Sequence, residues 1–142
     1  MKVVIGSDHA GFDLKEEIKL FLREDLGHEV EDIGVYGRDS ADYPLVAHRL
    51  AKDIAAGRYP FGILICGTGI GMSIVANRYK GVRAALCHDI LTARLSRQHN
   101  NANILAMGGR LIGVTLAEEM TREFLATSFE GGRHERRIKQ ID

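Results

Sequence analysis

Residues 63–73 have the sequence Ile63-Leu64-Ile65-Cys66-Gly67-Thr68-Gly69-Ile70-Gly71-Met72-Ser73. An apolar run that leads into glycines and then into a helical pattern predicts a strand, a tight loop and a helix. Such a loop can direct several backbone N–H groups into one small space, next to the positive end of the helix dipole. We therefore expect an anion or a developing oxyanion to bind there, beside the thiol of Cys66.

The alternation of strand and helix patterns continues along the chain. Strands are predicted at 2–6, 28–33, 61–66, 83–87 and 104–107, and helices at 12–26, 43–56, 72–79, 90–97 and 114–126, with a last basic helix at 133–141. Strands that alternate with helices imply a parallel sheet with both faces covered. The sequence therefore predicts one α/β domain over residues 1–142, ending in a basic arm at about 131–142.

Composition limits the classes of function. Lys plus Arg and Asp plus Glu total 19 each, so the zero net charge indicates no nucleic-acid partner. Cys66 and Cys87 each end an apolar run, which is not the pattern of a disulfide framework and favours a reducing compartment. No apolar run reaches the roughly 18 residues of a membrane helix, and there is no signal-peptide layout. A cytoplasmic protein without membrane contact is expected.

Ligands of parallel α/β sheets bind outside the carboxyl ends of the strands, and this rule selects candidate residues. They are Asp8 and His9 after the first strand, Cys66 to Gly71 after the third, His99 and Asn100 just before the fifth, and Arg110 after the fifth. A thiol beside a helix start favours its thiolate form and can act as a base or a nucleophile. A histidine flanked by amides can act as a general acid near sugar hydroxyls.

Each candidate also has a purely structural interpretation. Cys66 can be a small buried hydrophobe, Asp8 a helix cap, and the asparagines around His99 a turn. The loop after Cys66 does not fit a dinucleotide fingerprint, because Met72 stands where the last glycine belongs, and it lacks the Gly-Lys-Ser/Thr ending of a Walker loop. The six histidines are scattered without metal-ligand spacing, so no metal ion is expected.

The basic tail offers a further candidate. Arg133 and Arg137 stand four residues apart and share one face if the segment is helical. Paired guanidinium groups suit a phosphate. A solvated terminus is the alternative.

Together these motifs resemble the ribose-5-phosphate isomerases of type B, a group related to the galactose-6-phosphate and allose-6-phosphate isomerases. The resemblance rests on Gly6-Ser7-Asp8-His9-Ala10-Gly11, Asp42-Tyr43-Pro44, residues 66–73, Asn77-Arg78, His99-Asn100-Asn101-Ala102-Asn103, Gly108-Gly109-Arg110 and residues 131–137. No single motif is decisive, but their joint order and spacing are specific.

The resemblance implies a Rossmann-like three-layer αβα sandwich with a five-stranded parallel sheet. It also implies a homodimer with active sites at the interface, and neither metal nor organic cofactor. Cys66 would be the base that moves a proton between C1 and C2 of a sugar phosphate, and His99 the acid that opens the furanose ring. By the same resemblance, the sugar would be held by Asp8, His9 and Asn100, and the enediolate oxygen would be stabilised by residues 67–71. The phosphate would be bound by Arg110, Arg133 and Arg137. The pocket would also be lined by Tyr43 and Thr68.

The implied reaction is the interconversion of ribose 5-phosphate and ribulose 5-phosphate, a step of the pentose phosphate pathway. Two alternatives stay open: an isomerase of a six-carbon sugar phosphate, such as allose or galactose 6-phosphate, and a non-catalytic nucleotide- or phosphate-binding module. The pairing of dimers into tetramers also stays open.

Overall fold

Five parallel strands form the centre of the molecule, and the computed structural model describes all of residues 1–142. The strands are β1 (Lys2–Ser7), β2 (Glu29–Asp32), β3 (Phe61–Cys66), β4 (Ala84–Leu86) and β5 (Ile104–Gly108). Their order in the sheet is β2-β1-β3-β5-β4. The chain leaves β1 towards one edge and returns to add β3 on the other side, so the topological switch point lies between β1 and β3. Ligands of such sheets bind at that point.

Six helices cover the two faces of the sheet. They are α1 (Phe12–Leu20), α2 (Tyr43–Ala55), α3 (Ile70–Ala76), α4 (Ile90–Asn100), α5 (Val114–Ala126) and α6 (Arg133–Ile138). Side chains alternate along β3: Ile63 and Ile65 join the apolar core under α1 and α5, and Leu64 joins the core under α2 and α3. The α/β class and the three-layer arrangement predicted for the chain are thereby confirmed. No helix is both long enough and apolar enough to cross a membrane.

The predicted elements differ from the structure mainly at their ends. The first helix does not run unbroken to Leu26, because a π-helical turn at Phe21–Asp25 follows α1. The fourth helix is longer than predicted, because it continues through His99 to Asn100 and ends at Asn101 in the left-handed conformation. The asparagine-rich segment is therefore partly helical rather than a loop throughout.

A buried ion pair joins α1 to the end of β2. The side chain of Lys15 is fully buried, and its Nζ lies 2.7 Å from both carboxylate oxygens of Asp32. Lys19 and the N–H of Gly34 also donate to this carboxylate, at 2.8 and 2.9 Å. Burial pushes the pKa of Asp32 upward, but the hydrogen bonds from Lys15, Lys19 and Gly34 outweigh it, so the pKa lies below its ordinary range.

Replacing Asp32 tests this pair. We expect Asp32→Asn to lower the free energy of unfolding by about 3 kcal/mol at neutral pH, because the change leaves the buried charge of Lys15 with only the more distant carboxylate of Glu16, at 3.7 Å. The folded-state pKa is depressed, so the ionised carboxylate stabilises the fold above the unfolded-state pKa and loses this effect as the pH falls through the folded-state pKa. The difference between wild type and variant should therefore shrink below about pH 4 in urea titrations followed by circular dichroism.

Asp13→Asn is the matched control. Asp13 pairs with Arg38 on the surface, where both side chains are more than two-thirds exposed. Such a pair contributes at most about 1 kcal/mol. Equal losses in the two variants would contradict the role given to the buried pair.

Candidate active site

An open cavity of about 460 Å³ lies at the carboxyl edge of the sheet, over the switch point between β1 and β3. It is lined by Asp8, His9, Ala10, Tyr43, Cys66, Gly67, Thr68, Ile70, Gly71, Ile74 and Arg110. The structure thus brings together the candidates that follow β1, β3 and β5.

Cys66 is the last residue of β3 and is only 4% exposed. Its Sγ accepts a hydrogen bond from the backbone N–H of Gly69, with a nitrogen-to-sulfur distance of 3.1 Å. Gly69 has a φ of 79°, and a Cβ added there would lie 2.9 Å from the backbone carbonyl carbon of Met107. Only glycine meets both the backbone angle and the contact with β5. The sequence around Cys66 therefore holds a peptide N–H against the sulfur.

The N–H groups of the loop divide into two sets. Gly69 donates to Cys66, and Ile70 donates to the side-chain oxygen of Thr68 at 3.2 Å. The N–H groups of Gly67, Thr68 and Gly71 have no hydrogen-bond partner within the chain. These three are the donors that a bound oxyanion could engage.

Asp8 and His9 are oriented by backbone N–H groups. Oδ1 of the buried Asp8 accepts from the N–H of Gly11 at 3.0 Å, which leaves Oδ2 without a protein partner. The helix-capping interpretation of Asp8 is wrong, because Gly11 is the N-cap of α1 and no side chain caps that helix. Nδ1 of His9 lies 3.1 Å from the N–H of Ala41. Because an amide can only donate, Nδ1 is the acceptor, and Nε2 is the ring nitrogen left to bind a ligand.

Arg110 and Tyr43 lie directly on the glycine loop. A Cβ on Gly67 would be 3.3 Å from Nη1 of Arg110, and a Cβ on Gly71 would be 2.6 Å from the ring of Tyr43. The missing side chains at the two glycines therefore let a guanidinium group and an aromatic ring close the wall of the cavity.

A second cavity of about 420 Å³ holds the other candidates. It is lined by His99, Asn100, His134, Arg137, Ile138 and Ile141. The rings of His99 and His134 stack, with centroids 4.4 Å apart and planes 11° apart. Arg133 begins α6 but is not among the lining residues.

His134 is a residue that the sequence did not single out. The available signal was its position three residues before Arg137, which puts both on one face of a helix. Burial lowers the pKa of His134, and the positive charges of His99, Arg133 and Arg137 lower it further, against the opposing effect of Glu130. The neutral imidazole is favoured near neutral pH.

The two cavities share no residue and lie at opposite edges of the sheet. Cys66 and Arg110 follow strands, at the carboxyl edge, whereas His99 and Asn100 end the helix that leads into β5 and so lie at the amino edge. The expectation that His99 and Asn100 join the carboxyl-edge site within the chain is therefore wrong. In a parallel sheet the residues just before a strand are a full strand length away from those after it.

Three potential metal ligands also meet in the second cavity. The ligand atoms of His99, Glu130 and His134 all lie within 4.8 Å of one another. Their spacing in the sequence gave no such indication, because His99 lies on a different helix.

Residues 3–141 match the model of the ribose/galactose isomerase family. This chain belongs to that family. The chain is 46% identical over 140 residues to ribose-5-phosphate isomerase B of Escherichia coli, covering 99% of this chain and 93% of the relative. It is 43% identical over 145 residues to a D-erythrulose-4-phosphate isomerase of Pectobacterium atrosepticum, covering 99% of this chain and 93% of that relative. A crystal structure of a ribose 5-phosphate isomerase from Thermotoga maritima matches it with a TM-score of 0.96 and 56% identity, covering 99% and 97% of the two chains.

Membership of the ribose/galactose isomerase family confirms the resemblance on which the sequence interpretation rested. The separate roles of Cys66, His99 and the arginines stay predictions. The geometry adds Gly69 as the donor to the sulfur and His134 as the partner of His99.

Substitution of Gly69 tests how closely the glycine loop packs against the backbone of β5. We expect Gly69→Ala to be about 1–3 kcal/mol more destabilising than Gly81→Ala, because the new methyl group would overlap the backbone of β5. Gly81 is a matched control: its φ is 83°, but a Cβ there meets nothing within 4 Å. The free energy of unfolding of that control should fall by only roughly 1–2 kcal/mol, the cost of placing an alanine in the left-handed conformation. Urea unfolding measures both, and equal losses would show that the loop and β5 can move apart.

Proposed function

We propose that the protein interconverts ribose 5-phosphate and ribulose 5-phosphate through an enediolate, with Cys66 as the base. The observation that carries the proposal is the sulfur of Cys66 at the switch point, beside three loop N–H groups without partners. Similarity over almost the full chain to proteins named ribose-5-phosphate isomerase supports it.

The reaction needs a base and an oxyanion site in one place. In the open-chain aldose, the base takes the proton from C2, the C–H electron pair forms the C1–C2 double bond, and the C1 oxygen gains negative charge. Return of the proton to C1, with transfer of the O2 proton to O1, gives the ketose with its C2 carbonyl and C1 hydroxyl. The free N–H groups of Gly67, Thr68 and Gly71 are placed to stabilise the developing charge, an effect worth several kcal/mol per donor.

The two cysteines differ in the way that this role requires. The N–H of Gly69 donates to the sulfur of Cys66, so a hydrogen-bond donor is in place at the atom that would exchange the proton. Burial raises the pKa of Cys87, in spite of hydrogen bonds with Thr92 and Ser96, so that thiol stays protonated near neutral pH. Both cysteines are free and buried, in keeping with a reducing cytoplasmic environment.

The remaining residues of the carboxyl-edge cavity can hold the substrate. Asp8 and His9 present Oδ2 and Nε2 to sugar hydroxyls. Arg110, on the other side of the loop, suits the phosphate, because a guanidinium can form two parallel hydrogen bonds to it. Tyr43 and Ile74 add apolar lining.

We infer that the active site is completed by a second copy of the chain. His99, Asn100, Arg133 and Arg137 lie at the amino edge, too far along the sheet to reach Cys66 of the same chain. Two apolar residues that line the Cys66 cavity, Ile70 and Ile74, are 49% and 54% exposed. In the homodimer this apolar surface packs against the partner, whose α4 brings the acid and whose basic arm brings the phosphate-binding arginines to the cavity.

Removal of the thiol tests the base. We expect Cys66→Ala to lower kcat for ribose 5-phosphate by about 10²–10⁴, the usual contribution of a general base, while KM changes little. The exchange of the C2 proton with solvent deuterium, followed by NMR, should fall in parallel.

Cys87→Ala is the control, because it removes the other buried thiol and should keep kcat and proton exchange close to wild type. Near-normal turnover in Cys66→Ala would overturn the assignment of the base. The same assay on erythrulose 4-phosphate, allose 6-phosphate and galactose 6-phosphate should give lower kcat/KM than ribose 5-phosphate. A higher value for a four- or six-carbon substrate would keep the chemistry but change the substrate.

Mixed dimers test the shared site. When Cys66→Ala and His99→Asn chains are co-expressed with different tags, we expect about a quarter of wild-type activity, because half of randomly paired dimers are mixed and each has one intact site. Either variant alone should be nearly inactive.

Purified mixed dimers should carry all of the recovered activity. Activity no higher than that of the parent variants would show that Cys66 and His99 do not meet across an interface. Sedimentation equilibrium on the same samples reports whether the dimers exist and whether they pair into tetramers.

A further inference from the structure

The side chains of His99, Glu130 and His134 converge from three parts of the chain. His99 lies in the last turn of α4, Glu130 in the segment after α5, and His134 in the first turn of α6. Both histidines direct Nε2 to the same oxygen, Oε1 of Glu130, at 3.8 and 3.6 Å. Imidazole nitrogen and carboxylate oxygen are the ligands that zinc-like ions take in open three-residue sites.

The backbone holds the three residues in place without any ion. The N–H of Glu130 donates to the carbonyl oxygen of Gln98 at 3.1 Å, which ties the segment before α6 to the end of α4. The N–H of His134 donates to the carbonyl oxygen of Gly131 at 3.1 Å, and His134 is only 9% exposed. The ligand set is therefore formed by packing of α6 on α4.

The distances fit a zinc-class ion with a small adjustment. Ligand atoms about 2.1 Å from a tetrahedral ion lie roughly 3.4 Å from one another. The two distances from Oε1 of Glu130, 3.6 and 3.8 Å, need to close by only a few tenths of an ångström, and all three ligand atoms lie within 4.8 Å of one another. The two rings are nearly parallel, so one must tilt for both lone pairs to meet at one ion, and the side chain of His99 is 40% exposed and has room to do so.

The surrounding charges set the kind of site. Arg133 and Arg137 are on the same helix as His134, and their positive charge weakens the binding of a divalent cation. Three protein ligands leave a fourth position open, unlike a closed structural site, and the two positive charges make the bound ion reversible.

We propose that His99, Glu130 and His134 form a reversible site for a divalent zinc-class ion, and that the bound ion inhibits isomerisation. The ion would occupy Nε2 of His99, the nitrogen of the residue that acts as acid in ring opening. The inhibitory half of this inference rests on the proposed function; the binding half does not.

Direct binding is measured first, by competition of the protein with a chromogenic chelator for zinc ions. We expect the wild type to bind one zinc ion per chain, and Glu130→Gln and His134→Asn to bind it about tenfold or more weakly. Cys66→Ala excludes the thiol as the ligand, and His48→Asn, which removes an exposed histidine bonded to Tyr79, excludes non-specific imidazole binding. Both should bind as the wild type does.

Unchanged zinc binding in Glu130→Gln and His134→Asn would overturn the site. Circular dichroism checks the fold of each variant. If His134→Asn is unfolded, Glu130→Gln carries the test alone, because the side chain of Glu130 is about half exposed and its loss leaves the core intact.

Inhibition is measured second, as activity with zinc relative to the activity of the same variant without zinc. Zinc should inhibit the wild type, EDTA should reverse the inhibition, and Glu130→Gln should need about tenfold more zinc for the same effect. Binding at the three residues without inhibition would overturn the regulatory half. Absence of isomerase activity in the wild type would contradict the proposed function and leave the binding result standing.

Discussion

The common direction of the five strands is the constraint on which the rest of this structure depends. It places every residue that follows a strand at one edge of the sheet and every residue that precedes a strand at the other. Cys66 and His99 fall on opposite sides of that division, although proton transfer and ring opening act on the same sugar. A single chain cannot bring these two residues together without disrupting its sheet. In the proposed homodimer, association of two chains would bring them together with no change in the fold, and the exposed Ile74 lies beside the cavity, on the surface proposed for the second chain.

The same sheet also decides how the glycine loop works. The loop turns so sharply after β3 that Gly69 contacts the backbone of β5, which leaves no room for a side chain. One N–H is thereby committed to Cys66, and the N–H of Ile70 is taken by Thr68. The donor to Cys66, the proposed base, and the donors available to an oxyanion are therefore different groups of one turn. Charge on the sulfur and charge on the substrate do not compete for the same hydrogen bond, so both can be stabilised during one proton transfer.

Most of the fold and half of the site were predictable from the sequence, for a physical reason. Buried parallel strands are continuous apolar runs, and the carboxyl-edge residues follow them directly, so Asp8, Cys66 and Arg110 could be assigned to one place. The carboxyl-edge rule does not apply to His99, because His99 precedes β5 and therefore lies at the amino edge; the asparagines favour turns locally, whereas packing on α6 and α5 extends α4 through Asn100. Contacts between distant segments, such as His99 with Glu130, leave no trace in local spacing. Only the assembled fold shows them.

The buried pair of Lys15 and Asp32 is another contact between distant segments that only the assembled fold shows. It lies at the start of a connection that also contacts the candidate site. Asp32 ends β2 and accepts from the N–H of Gly34, which anchors the start of the connection to α2. Further along that connection, Ala41 donates its N–H to Nδ1 of His9. One connection between β2 and α2 therefore contacts both the buried ion pair, through Gly34, and the candidate site, through Ala41. Because the N–H of Ala41 can only donate, it is this connection that leaves Nε2 of His9 as the ring nitrogen available to a sugar.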